Sequence, residues 1–151
     1  METIIKNLHY PGYQINPGTN VLKVGFDLGF SSTDAISPIV TVVSIQHQQI
    51  PYRIELTRSE TLDANISLQE VKSPTDVIDL EGYTLVFRTK FIIHDKELLE
   101  DSELFEKILT KVKTKYTIAG GIEGKKVFEV KGTTHDFHQN TFWLLKAIKL
   151  I

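Results

Sequence analysis

Apolar and polar residues alternate over several stretches of the chain, which is the pattern of β-strands that bury one face. The clearest stretch covers residues 22–30, where every second residue is large and apolar. Gly25 and Gly29 fall on its opposite face and indicate a bulge or the close approach of another backbone. A second stretch, residues 83–93, has one mainly apolar face and one mixed face. Together they predict an antiparallel sheet with one covered and one wetter side.

A change of phase interrupts the alternation in the middle of the chain. Apolar residues occupy odd positions from Ile39 to Ile45, but even positions from Tyr52 to Leu56. A strand cannot change phase without an extra residue or a turn, so we expect a break within residues 47–51. Pro51 has no N–H to donate, which favours the edge of a sheet at this point.

The period changes from two to three or four over residues 95–115. Acidic residues fill the first part and lysines the last part, an order that complements a helix dipole. This pattern predicts one amphipathic helix over residues 97–114, with Asp101 or Ser102 as an internal start if the first turn is separate. A glycine-rich loop at residues 120–124 then predicts a hairpin. Residues 141–151 fit a helix or a strand.

These patterns predict a single α+β domain over residues 1–151. We expect a largely antiparallel sheet of six or seven strands, with the helix at 97–114 packed on it and a short C-terminal helix or strand.

Composition and charge remove several classes of function. The 151 residues include 17 basic and 19 acidic side chains, so there is no basic excess to indicate a nucleic-acid binder. The absence of cysteine excludes disulfides, thiol nucleophiles and cysteine-bound metals. No apolar run is long enough to span a membrane, and no signal peptide is visible at the start. We therefore expect a protein of the cytoplasm or of a particle that assembles inside the cell.

His135 and His138 are the strongest candidates for chemistry, because two nearby imidazoles can bind one metal ion. His94 or Asp136 is a candidate third ligand. Other motifs fail on spacing: residues 120–126 lack the length and the hydroxyl of a phosphate loop, and residues 29–33 lack the last glycine of a nucleophile elbow. A metal-binding protein or metal-dependent hydrolase is thus the alternative function.

The main hypothesis is a protein that does no catalysis and binds its partners through sheet edges and an apolar surface. The predicted wetter face carries more apolar residues than water alone favours. We predict that Val40, Val42, Val86 and Ile92, with Pro51 at a sheet edge, contact other protein chains. Self-association or a larger assembly, such as a virion or another multi-subunit particle, is the expected form, and no cofactor is expected.

Overall fold

The computed structural model describes residues 11–27, 36–47, 53–59, 65–75, 77, 79–109, 113–131, 135–138 and 140–151. In these ranges the chain forms ten strands and two short helices. The strands are β1 (Gly12–Tyr13), β2 (Val21–Asp27), β3 (Ile36–Gln46), β4 (Ile54–Ser59), β5 (Asn65–Lys72), β6 (Thr84–Ile93), β7 (Lys113–Ala119), β8 (Lys126–Lys131), β9 (His135–His138) and β10 (Thr141–Leu150). The helices are α1 (Lys96–Glu100) and α2 (Ser102–Leu109).

The strands form two sheets. One has six strands in the order β1-β10-β6-β3-β4, with β9 also paired to β10. The other has four strands in the order β5-β2-β7-β8. Strand β1 runs parallel to β10, and the other pairings between described strands are antiparallel.

The two sheets pack face to face and bury the apolar face of each strand. In β2 the alternating residues Leu22, Val24 and Phe26 are buried, while the flanking Lys23 and Asp27 are exposed. The register with β5 shifts between Val24 and Phe26, at Gly25, which agrees with the expected bulge there, and Gly29 lies outside the described residues. Burial of each such side chain contributes roughly 1.5–3 kcal/mol to the free energy of unfolding.

The predicted fold class is wrong, because the structure is mostly β, with two sheets and no long helix at residues 97–114. Two short helices replace it, and β7 begins at Lys113. Asp101 interrupts the helix: its carboxylate accepts hydrogen bonds from the N–H groups of Glu103 (3.1 Å) and Leu104 (3.2 Å). Those are the bonds of an N-cap, so Asp101 starts a new helix.

The C-terminal segment is a strand, and the helix alternative for residues 141–151 is wrong. Strand β10 lies antiparallel to β6, with Phe142 opposite Phe91 and Ile148 opposite Leu85. All four of these side chains are buried. A helix would spread the same apolar residues around its axis, whereas the strand directs them toward the four-stranded sheet.

A chain of buried hydroxyl groups joins the two sheets inside the core. The Thr41 and Thr89 hydroxyls lie 3.0 Å apart, and the Thr89 hydroxyl lies 2.6 Å from that of Tyr116. The Tyr116 ring also stacks on Phe87, with 4.7 Å between ring centroids. Burial raises the pKa of Tyr116 to about 12. These contacts link the six-stranded sheet to the four-stranded one.

A second set of hydrogen bonds connects the loop of the β7–β8 hairpin to β1 and the residue after it. The Tyr13 hydroxyl donates to the Gly124 carbonyl (2.5 Å) and accepts from the Gly121 N–H (2.8 Å). The Gln14 N–H donates to a carboxylate oxygen of Glu123 (2.7 Å). A Cβ at Gly121 would collide with the Tyr13 ring, so glycine permits this approach. The hairpin is thereby held against the six-stranded sheet.

Replacing Tyr116 with Phe (Tyr116→Phe) should lower the free energy of unfolding by about 1 kcal/mol at pH 7, the net contribution of one hydrogen bond. The folded pKa of about 12 exceeds the ordinary value of 10.0, so the stabilising contribution of this hydroxyl is complete below pH 10 and falls as the pH rises toward 12. We expect urea unfolding from pH 8 to 12 to show that the difference in free energy of unfolding between wild type and variant becomes smaller above pH 10. A difference that stays constant would contradict this account.

Replacing Glu123 with Gln (Glu123→Gln) should make the free energy of unfolding depend less on pH below neutrality. The Gln14 N–H, followed by Lys126, lowers the pKa of the Glu123 carboxyl below its ordinary value of 4.5. The stabilising contribution is therefore complete above pH 4.5 and is lost as the pH falls through the lower folded value. Thermal unfolding from pH 7 to 3 should show the wild type losing more stability than the variant. The change Glu81→Gln, at an exposed carboxylate in a turn outside the strands, is the control.

Candidate interaction surface on the six-stranded sheet

Four of the five predicted interface residues lie on one surface. Because strand residues alternate between faces, Val40 and Val42 of β3 and Val86 and Ile92 of β6 point away from the four-stranded sheet. We call this surface the outer face. Its residues are Val40, Val42, Ser44, Val86, Arg88, Lys90, Ile92, Trp143, Leu145 and Ala147.

The middle of the outer face is already buried within a single chain. Val42 is 1% exposed, Val86 0% and Ala147 3%, and Val40 is only slightly more open at 8%. Ile92 is half-buried. The valines therefore form an apolar floor, and a partner would meet the side chains around them. Pro51 lies outside the described residues, and the interface role of all five residues stays a prediction.

Two cations and one aromatic ring form a cluster on this face. The guanidinium carbon of Arg88 lies 4.8 Å from the centroid of the Trp143 ring, and the Lys90 Nζ lies 5.8 Å from it. Lys90 and Trp143 are directly opposite in the register of β6 and β10. Each cation–π contact contributes about 0.5–1 kcal/mol at exposed sites. The ring therefore holds two like charges close together, which raises the local positive potential.

A buried hydroxyl without a hydrogen-bond partner lies on the same face. Ser44 is 1% exposed, and its Oγ has no hydrogen-bond partner. Ser44 lies opposite Val86, which places it on the apolar floor. A buried polar group left in this state costs about 1–3 kcal/mol. The outer face therefore includes a buried polar atom with no hydrogen bond to any described residue.

The outer face of the four-stranded sheet has a different charge pattern. There Lys23 lies opposite Glu70, and Lys115 lies opposite Glu129. All four side chains are exposed. Cross-strand pairs of opposite charge stabilise a sheet and neutralise its surface. Lys90, by contrast, lies opposite Val40 and Trp143, so no charge of opposite sign faces it across either strand.

Sequence reasoning missed Trp143 and Leu145 because residues 141–151 fitted a helix as well as a strand. As a strand, β10 places both residues opposite outward-facing positions of β6. The signal that identifies them is the alternation of Phe142, Leu144 and Ile148 as inward positions. Because these even-numbered residues of β10 face inward, its odd-numbered residues face outward.

The histidine pair lies on a strand instead of the loop or helix that the metal hypothesis assumed. In β9, His135 is opposite Trp143 and His138 is opposite Thr141. The register of the two strands shifts between these two pairs. His94 Nε2 lies 3.0 Å from the Ser37 Oγ. Within the described part of the chain, no three His, Asp or Glu side chains form a group that could hold a metal ion.

Elemental analysis of the purified protein tests the metal hypothesis for His135 and His138. We expect less than one transition-metal ion per chain, because the described residues contain no group of three His, Asp or Glu side chains that could hold one. The measurement is mass spectrometry of metals after dialysis, compared with a His135→Ala/His138→Ala variant. A stoichiometric metal that the double variant loses would establish the metal hypothesis.

No family model, curated protein or solved structure matches the chain. Within the described part of the chain, neither helix is long and apolar enough to cross a membrane.

Proposed function

We propose that this chain is a non-enzymatic assembly or partner-binding protein that acts through the outer face of the six-stranded sheet. The observation that carries the proposal is the cluster of Arg88, Lys90 and Trp143 above an apolar floor. Tryptophan and arginine are the residues that most often dominate the energy of protein interfaces. Half-buried Ile92 and Leu145 supply apolar contact beside the charges.

The charge of the outer face selects the chemistry of its partner. Arg58 of β4, opposite Val42, is exposed and adds a further cation to this side of the sheet, where Arg88 and Lys90 are half-buried. Glu55 pairs with Arg58 at 2.8 Å and offsets part of that charge. A partner with carboxylates around an apolar centre complements such a surface, and complementary charge speeds association and excludes other partners.

The edges of the sheets offer a second mode of contact. Strand β4 ends the six-stranded sheet, and β5 and β8 end the four-stranded one. Edge strands present backbone N–H and C=O groups that can pair with another chain. A multi-subunit particle assembled inside the cell, such as a virion, is one form of this proposal.

The single tryptophan of the chain makes the proposal directly testable, since Trp143 lies on the outer face. We expect its fluorescence to change saturably when poly-L-glutamate, a generic acidic polypeptide, is added at low salt, because the cations beside the ring attract carboxylates. The change Lys90→Ser should weaken this binding roughly tenfold, by removing one charge from the cluster.

The matched control is Lys23→Ser, which removes a cation from the outer face of the four-stranded sheet. It should leave the Trp143 titration unchanged. If Trp143 responds neither to poly-L-glutamate nor to an increase in protein concentration up to about 100 µM, the proposed function is wrong.

A further inference from the structure

We infer that the partner of the outer face is a second copy of this chain, which binds through the acidic segment at residues 95–103. This inference rests on the proposed function and names its partner. We identify the partner as a second copy because one molecule carries two complementary surfaces. One surface is cationic and the other is acidic, and each has an apolar centre.

The acidic segment covers α1 and the start of α2. It holds five carboxylates and one lysine within nine residues. Asp95 and Asp101 accept hydrogen bonds from backbone N–H groups, so both carboxylates are used to hold the shape of the segment. Glu97, Glu100 and Glu103 are exposed. These three carry the charge that faces solvent.

Leu99 gives the acidic segment an apolar centre. Its side chain is 42% exposed in a stretch where Glu97 and Glu100 are its close neighbours in sequence. Water disfavours such a side chain, and contact with apolar surface stabilises it. The outer face offers Ile92 and the Trp143 ring for that contact, with Lys90 beside them. Charge and apolar contact therefore complement each other in the same arrangement.

The positions of the two surfaces permit a closed dimer. Strand β6 ends at Ile93, and α1 begins at Lys96, so the acidic segment adjoins the end of the outer face that carries Lys90 and Ile92. When two complementary surfaces adjoin each other, a two-fold axis lets each copy provide both. Each dimer then contains the same contact twice.

A charge-exchange experiment tests the pairing. The variants Lys90→Glu and Glu100→Lys should each weaken self-association of the full chain at least tenfold, because each homodimer then contains two repulsive contacts. An equimolar mixture should recover association to within about threefold of wild type, because Glu at 90 meets Lys at 100 and the second contact is unchanged. Sedimentation velocity measures the populations, and Trp143 fluorescence polarisation reports on the same face.

Three variants separate the pairing from general effects of charge and folding. Lys72→Glu and Glu81→Lys make the same charge changes at exposed positions elsewhere and should associate like wild type, alone or mixed. Lys90→Arg keeps the charge and should retain association. Circular dichroism confirms the fold of each variant.

The outcomes distinguish this inference from the proposed function. Two outcomes would overturn the inference and leave the proposed function standing. One is a mixture that associates no more strongly than either variant alone. The other is a wild-type chain that stays monomeric at about 100 µM but still binds poly-L-glutamate. Failure of both self-association and poly-L-glutamate binding would overturn both. Raising the salt concentration to about 1 M should weaken the wild-type dimer, because charges are then screened within about 3 Å. A dimer whose stability does not change with salt would contradict the inference.

Discussion

The packing of Tyr116 against the six-stranded sheet is the interaction on which the rest of the structure depends. Its ring lies on Phe87 and its hydroxyl reaches Thr89, which in turn reaches Thr41. Hydrogen bonds have strict requirements of distance and angle, so they define the relative position of the sheets more narrowly than apolar contact alone. A slip of one residue in either strand would turn the bonded side chains to the opposite face.

That constraint also determines the outer face. Because Phe87 and Thr89 point inward, Arg88 and Lys90 point outward on the same strand. The pairing with β10 then places Trp143 opposite Lys90. The cationic cluster is therefore a consequence of inward packing combined with strand register.

The two outer faces show how register distributes charge. In the four-stranded sheet it sets Lys23 beside Glu70 and leaves a surface with both signs. In the six-stranded sheet it sets cations beside apolar and aromatic residues. A net charge of −2 for the whole chain conceals this difference. Surface charge matters for binding through its local arrangement, which the total does not reveal.

The sequence by itself determined the local elements whose period is unambiguous. Residues 22–27 alternate strictly enough to identify both the strand and its buried face, and the mainly apolar face of residues 83–93 identifies a second strand. Only the tertiary structure decided the strand at 141–150, the division into two sheets and the meeting of Lys90 with Trp143. The reason is physical: periodicity reports which side of an element is buried, but it does not identify the neighbouring strand. Lys90 and Trp143 are more than fifty positions apart in the sequence, and the packing of the whole chain settles their pairing.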